Sequence, residues 1–96
     1  MKRNLTSLLY FVTVARERSF TRAAAHLGVS QPALSHAIAE LEKSTNIPLL
    51  LRTTRRVTPT ESGQCLLQAI GSHVDEIQSE LNKLSDLHVQ QDRTIR

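Results

Sequence analysis

The sequence is poor in the residues that brace or enlarge a fold. It has a single cysteine, Cys65, no tryptophan, and only three aromatics, Tyr10, Phe11 and Phe20. One thiol excludes an internal disulfide and a Cys-based zinc site. So few rings restrict the core to a small one built from Leu, Ile, Val and Ala. The three glycines are scattered and form no phosphate-cradling loop. No apolar run approaches the ~20 residues that a membrane helix requires, and no stretch reads as a secretory signal. The expectation is therefore a cytoplasmic chain with no membrane partner. There is no internal repeat and no low-complexity tract.

Catalytic chemistry lacks a foothold as well. His26, His36, His73 and His88 show no i,i+4 pairing, so no metal site is expected. Ser35 and His36 are neighbours on one predicted helix and lack the third group that a nucleophile–base pair needs. Cys65 falls in the first turns of a predicted helix, where a thiol pKa can be lowered. Its plainer reading, as a small packing residue, is preferred. No enzyme activity and no cofactor are implied.

Charge is present, and it is unevenly placed. The net charge is +3 and the pI about 9.6, which is mild for a polyanion binder. Residues 1–60 carry nine Lys or Arg against three acids, a net of +6, whereas residues 61–96 are at −3. Concentrating the positive charge in one half of the chain is what an anionic partner demands.

The chain divides readily into helices. Asn4 can cap a first helix with an apolar stripe of Leu5, Leu8, Phe11, Val12 and Ala15, ending near residues 16–18. Ser19 caps a short second helix, about 20–27, centred on Ala23, Ala24 and Ala25. Gly28 suits the left-handed residue that ends it. Ser30 caps a third helix with Pro32 in its first turn, reaching Ser44 or Thr45. The stretch NIPLLLRTTRRVTP reads as a two-stranded hairpin with Thr53, Thr54 and Arg55 near its tip. A long helix follows, capped by Thr58 or Thr60; Thr58-Pro59-Thr60-Glu61 fits a capping box with Pro59 as the first helical residue. Its apolar positions are Leu67, Ile70, Val74, Ile77, Leu81 and Leu84. They recur in alternating steps of three and four, the pattern of a coiled-coil seam with its 3.5-residue period, which predicts a dimer interface. Residues 88–96 lose this pattern and read as frayed or as linker.

Two short helices joined by a tight Gly-containing turn form a helix-turn-helix unit. Ala24 allows close crossing, Leu27 and Val29 flank the turn, and Leu34, Ala37, Ile38 and Leu41 anchor the third helix. Opposite these anchors lie Pro32, Ser35, His36, Ala39 and Lys43, with Gln31 on the flank. Most of that face is short-chained, which lets a helix sit deep in a DNA major groove. Gln31 can pair with an adenine edge, Ser35 can donate or accept, and the Pro32 ring and the Ala39 methyl can meet thymine methyls. Arg52, Arg55 and Arg56 on the hairpin suit phosphates or a minor groove, with Lys43, Thr53 and Thr54 nearby. Ser19, Thr21 and Arg22 open the second helix, where free N–H groups favour a phosphate; a plain capping role for Ser19 is compatible with this.

With these pieces in order, "YFVTVARERSFTRAA", "SQPALSHAIAELE" and "LLLRTTRRVTPTESG" together resemble the N-terminal DNA-binding domain of LysR-type transcriptional regulators, over about residues 4–70. The resemblance implies a mainly α, winged helix-turn-helix domain of three helices and a small two-stranded wing, followed by a long dimerisation helix. It implies antiparallel pairing of two such helices and binding to an interrupted palindrome in double-stranded DNA. Gln31, Pro32 and Ser35 would be recognition-helix contacts, Ser19, Thr21 and Ser30 would lie near the backbone, and Arg52, Arg55 and Arg56 would be wing contacts. The expected divisions are 1–59 for DNA binding, 60–88 for the linker helix and 89–96 for the start of a hinge. The chain departs from the family pattern in several places. His36 stands where a long donor is usual, Leu50 and Leu51 replace Phe-Glu, and Pro59 and Ser62 replace Leu and Ala. The family's C-terminal effector-binding domain is not in the sequence, so either an excised fragment or a naturally truncated product is expected, the fragment being favoured, and a small-molecule effector belongs only to a full-length protein. The competing reading is a helical protein-interaction module that dimerises through the seam and binds no DNA.

Overall fold

The computed structural model describes residues 5–53 and 56–94, with side chains described through residue 88. Three helices come first: α1 (Leu5–Glu17), α2 (Phe20–Leu27) and α3 (Gln31–Thr45). Strands β1 (Leu50–Arg52) and β2 (Val57–Pro59) follow, and then helix α4 (Glu61–Thr94). This is the expected mainly helical, winged arrangement. The Asn4 cap predicted for α1 lies outside the described residues.

Local chemistry explains each boundary. The Ser19 hydroxyl accepts from the Arg22 N–H at 3.1 Å and caps α2. At its other end Gly28 has φ 71°, the Gly28 N–H reaches the Ala25 carbonyl and the Val29 N–H the Ala24 carbonyl. That pair of bonds is a Schellman closure, and it depends on the left-handed residue. Ser30 accepts from the Ala33 N–H at 3.2 Å and starts α3, with Pro32 in the first turn as predicted. Asn46, at φ 57°, ends α3. Pro59 is the last residue of β2, not the first of a helix. Of the two candidate caps, Thr60 is the one used: its hydroxyl accepts from the Gly63 N–H at 3.0 Å and donates to the Pro48 carbonyl at 2.7 Å. A cap at Thr58 is unavailable because Thr58 pairs with Leu51 in the hairpin.

Phe11, Val12, Val14, Ala15, Ala23, Ala24, Leu34, Ile38, Leu41, Leu49, Leu50 and Val57 form one core, to which every element up to β2 contributes. Helix α4 closes it with Leu66, Leu67, Ile70 and Val74 and then leaves it. At ~1.5 Å per residue its 34 residues run about 50 Å, which accounts for the 54 × 24 × 23 Å extents. The helix does not stop where its apolar pattern lapses; it continues to Thr94.

Candidate nucleic-acid interface

Helix α3 separates its two faces as its periodicity requires. Leu34, Ile38 and Leu41 are buried, while Gln31, Pro32, His36, Ala39 and Lys43 are exposed and Ser35 is half-buried. The exposed ridge is low, because Pro, Ser and Ala project little beyond the backbone.

The first turn of α2 ties this ridge to the hairpin. The Gln31 Nε2 donates to the Thr21 hydroxyl. One residue earlier in the chain, the Phe20 ring carries the Arg52 guanidinium 4.4 Å from its centroid. Consecutive residues of α2 thus hold one side chain from the recognition helix and one from the wing, so ridge and wing border the same surface. Periodicity placed Gln31 on a flank; its bond to Thr21 gives it a defined position there.

The hairpin is antiparallel, with Leu50 opposite Pro59, Leu51 opposite Thr58 and Arg52 opposite Val57. Its tip has no Gly or Asn to supply a tight turn. Thr53 compensates: its N–H donates to the Arg56 carbonyl at 2.8 Å, and its hydroxyl accepts from the Arg56 N–H at 3.0 Å. Arg52, Thr53 and Arg56 are exposed. Thr54 and Arg55, also predicted as wing contacts, lie outside the described residues.

Several residues that matter here carried no functional signal in the sequence. The Glu42 carboxylate accepts from the backbone N–H groups of Leu49 (2.7 Å) and Leu50 (3.1 Å). A recognition-helix side chain thereby fixes where the wing begins. Its spacing of seven and eight residues from those partners matches no local motif. Phe20 stood out only as one of three aromatics. Arg22, expected near a phosphate, sends Nη2 to the Glu17 carbonyl at 3.3 Å and helps close α1; it remains exposed at the α2 terminus beside Ser19 and Thr21.

The predicted α4 seam is split in two. Leu67, Ile70 and Val74 pack against this chain's own core. Ile77, Leu81 and Leu84 are 53, 54 and 62% exposed, and Leu87, outside the strict 3.5-residue pattern, is 51% exposed. Where α4 crosses α1, Arg16 and Asp75 form a two-pronged ion pair at 2.8 and 3.1 Å. Its hydrogen bonds hold the Asp75 carboxyl below the usual carboxylate range and raise the Arg16 guanidinium. Among the described residues no group of His, Cys, Asp and Glu is arranged to hold a metal ion, and no helix is long and apolar enough to cross a membrane.

Residues 5–64 match the family model for the bacterial regulatory helix-turn-helix protein, lysR family. The chain belongs to the LysR family. A relative in Pseudomonas aeruginosa PAO1, named as a transcriptional regulator, is 56% identical over 96 residues, covering all of this chain and 31% of the relative. The HTH-type transcriptional regulator PgrR of Escherichia coli K12 is 47% identical over 97 residues, covering all of this chain and 32% of that protein. The chain therefore spans about a third of the length of these curated relatives. Among solved structures, the BenM DNA-binding domain in complex with catB site 1 DNA is 38% identical with a TM-score of 0.71, covering 86% of this chain and 97% of that one. The LysR family is one of transcription regulators, not of enzymes, and the winged helix-turn-helix reading of the sequence agrees with it.

Proposed function

We propose that this chain is the sequence-specific DNA-binding part of a LysR-type bacterial transcription regulator. The carrying observation is the contact chain from Arg52 through Phe20 and Thr21 to Gln31. It sets a cationic wing beside a low, exposed helical ridge, the shape a major groove accepts and its phosphate rails reward. Gln31, Pro32, Ser35, His36 and Ala39 read base edges. Ser19, Thr21, Arg22, Ser30, Lys43, Arg52, Thr53 and Arg56 face the backbone, and Thr54 and Arg55, which lie between Thr53 and Arg56 in the sequence, are assigned the same role.

Two copies pair through α4 and bind an interrupted palindrome, since a two-fold protein matches a two-fold site. Four large aliphatics more than half exposed on one helix support this pairing, because such a strip calls for a cover. Residues 1–59 bind DNA, 60–88 link and dimerise, and 89–96 lead towards a hinge. In a full-length regulator an effector domain beyond it receives the small molecule, in the cytoplasm.

Gel retardation on duplexes selected from a random library tests the reading. Specific complexes should form, with log K falling by about 0.9 per neutralised phosphate for each unit of log salt. Gln31→Ala should flatten preference at one or two positions by roughly 1–3 kcal/mol. Dimers that retard no duplex at low salt would favour the protein-interaction reading instead.

A further inference from the structure

The hydrogen bond between Gln31 and Thr21 bears on which base is read. A glutamine amide has two N–H donors and one carbonyl acceptor. Here one N–H is already committed to the Thr21 hydroxyl. What remains for a ligand is one donor beside one acceptor. That is the complement of the adenine edge, whose N7 accepts and whose N6 amino group donates. Guanine offers two acceptors, N7 and O6, on the same edge, and the committed N–H is not available for the second.

Thr21 is suited to hold the amide. Its branched β-carbon restricts the rotamer, and it lies in the first turn of α2, a helix fixed at one end by the Ser19 cap and at the other by the Gly28 closure. Its hydroxyl hydrogen is still free to be donated, and a phosphate oxygen can take it without disturbing the bond that Gln31 makes.

We propose that Thr21 is a specificity-determining positioning residue: its hydroxyl fixes the orientation of the Gln31 amide so that Gln31 selects adenine over guanine. This rests on the reading that Gln31 meets a base edge in the major groove.

The test uses the position in a selected duplex where Gln31→Ala flattens base preference. The affinity of the unmodified chain, Thr21→Val and Thr21→Ser is measured for all four base pairs there. The unmodified chain prefers adenine. Thr21→Val lowers its adenine-to-guanine affinity ratio about three- to tenfold, and Thr21→Ser keeps it within about twofold. Melting temperature stays level across the three, which separates positioning from folding, and a phosphate contact common to all four duplexes cancels in the ratio. A ratio unchanged in Thr21→Val, whether or not all four duplexes weaken alike, overturns the proposal while leaving the role of Gln31 intact. A preferred base other than adenine also overturns it. If Gln31→Ala flattens no position, the base-reading role of Gln31 fails and the proposal falls with it.

Discussion

The Arg52 guanidinium lies over the Phe20 ring, 4.4 Å from its centroid. Phe20 packs against the core, so its ring is a fixed platform. Arg52 gains a cation–π attraction there while its N–H rim stays in solvent. A long, otherwise mobile side chain is thereby pre-oriented beside the first turn of α2, and less rotamer entropy is lost when it grips a phosphate. Arg52→Ala should weaken all duplexes alike and lower the salt slope by about 0.9. Phe20→Leu should do part of the same, and the double variant should bind no worse than Arg52→Ala alone. Fully additive losses in that cycle would mean that the ring contributes by another route.

Asp75 offers a pH test of the joint between α1 and α4. Its carboxyl is held below the usual range by hydrogen bonds from Arg16. A carboxyl lowered in the folded state contributes stability that is fully present above its unfolded value, near pH 4. That contribution is lost as pH falls through the lower folded value. Both side chains are well exposed, so the effect is modest and weakens in salt. Asp75→Asn should lower the melting temperature slightly at pH 7 and by progressively less at acid pH, as the native carboxyl takes up its proton below the usual carboxylate range. An equal drop at neutral and acid pH would assign the loss to something other than the ion pair.

What was legible in the sequence, and what was not, divides by range. The caps at Ser19 and Ser30, the Gly28 closure and the buried stripe of α3 depend on residues within one or two turns, and the expectations for them held. The hairpin was legible from its β-compatible runs, but not the means of closing its tip, because Thr53 substitutes side-chain hydrogen bonds for the usual Gly or Asn. The exposed ridge from Gln31 to Lys43 followed from helical projection alone. The links that place it did not. Arg16 meets Asp75 across 59 residues, Gln31 meets Thr21 from a different helix, and Glu42 reaches forward to backbone groups. No periodicity encodes such pairs. At the near end of the seam a 3.5-residue period shows which face of α4 is apolar, but not that Leu67, Ile70 and Val74 also pack against this chain's own core.

Gly63 is a sharp test of how α4 is seated. A Cβ built there would lie 2.0 Å from the Leu49 carbonyl oxygen, which is backbone and is itself bonded to the Thr60 N–H. Helix propensity alone would make Gly63→Ala stabilising by up to ~1 kcal/mol. The clash should reverse the sign, forcing α4 away from Leu49 and costing about 1–3 kcal/mol in urea denaturation. Its exposed neighbour Ser62→Ala should be near neutral, within about 0.5 kcal/mol. A stabilised Gly63→Ala protein would show that the start of α4 is not seated on Leu49.

The two halves of the α4 stripe should respond oppositely to a charge. Leu81 is 54% exposed in the single chain, so Leu81→Asp removes little from the folded protomer, within about 0.5 kcal/mol. In a paired helix the same carboxylate would be buried opposite aliphatic side chains, a cost of several kcal/mol. Sedimentation should therefore show association weakened by on the order of a hundredfold or more, with an unchanged helical signal. Operator binding should drop steeply, because each half-site then binds without its neighbour. Val74→Asp places the charge against the protomer's own core instead, and should lower the melting temperature outright, by roughly 4–8 °C per kcal/mol lost for a domain of this size. A Leu81→Asp protein that still sedimented as a dimer would move the interface off the exposed strip of Ile77, Leu81 and Leu84.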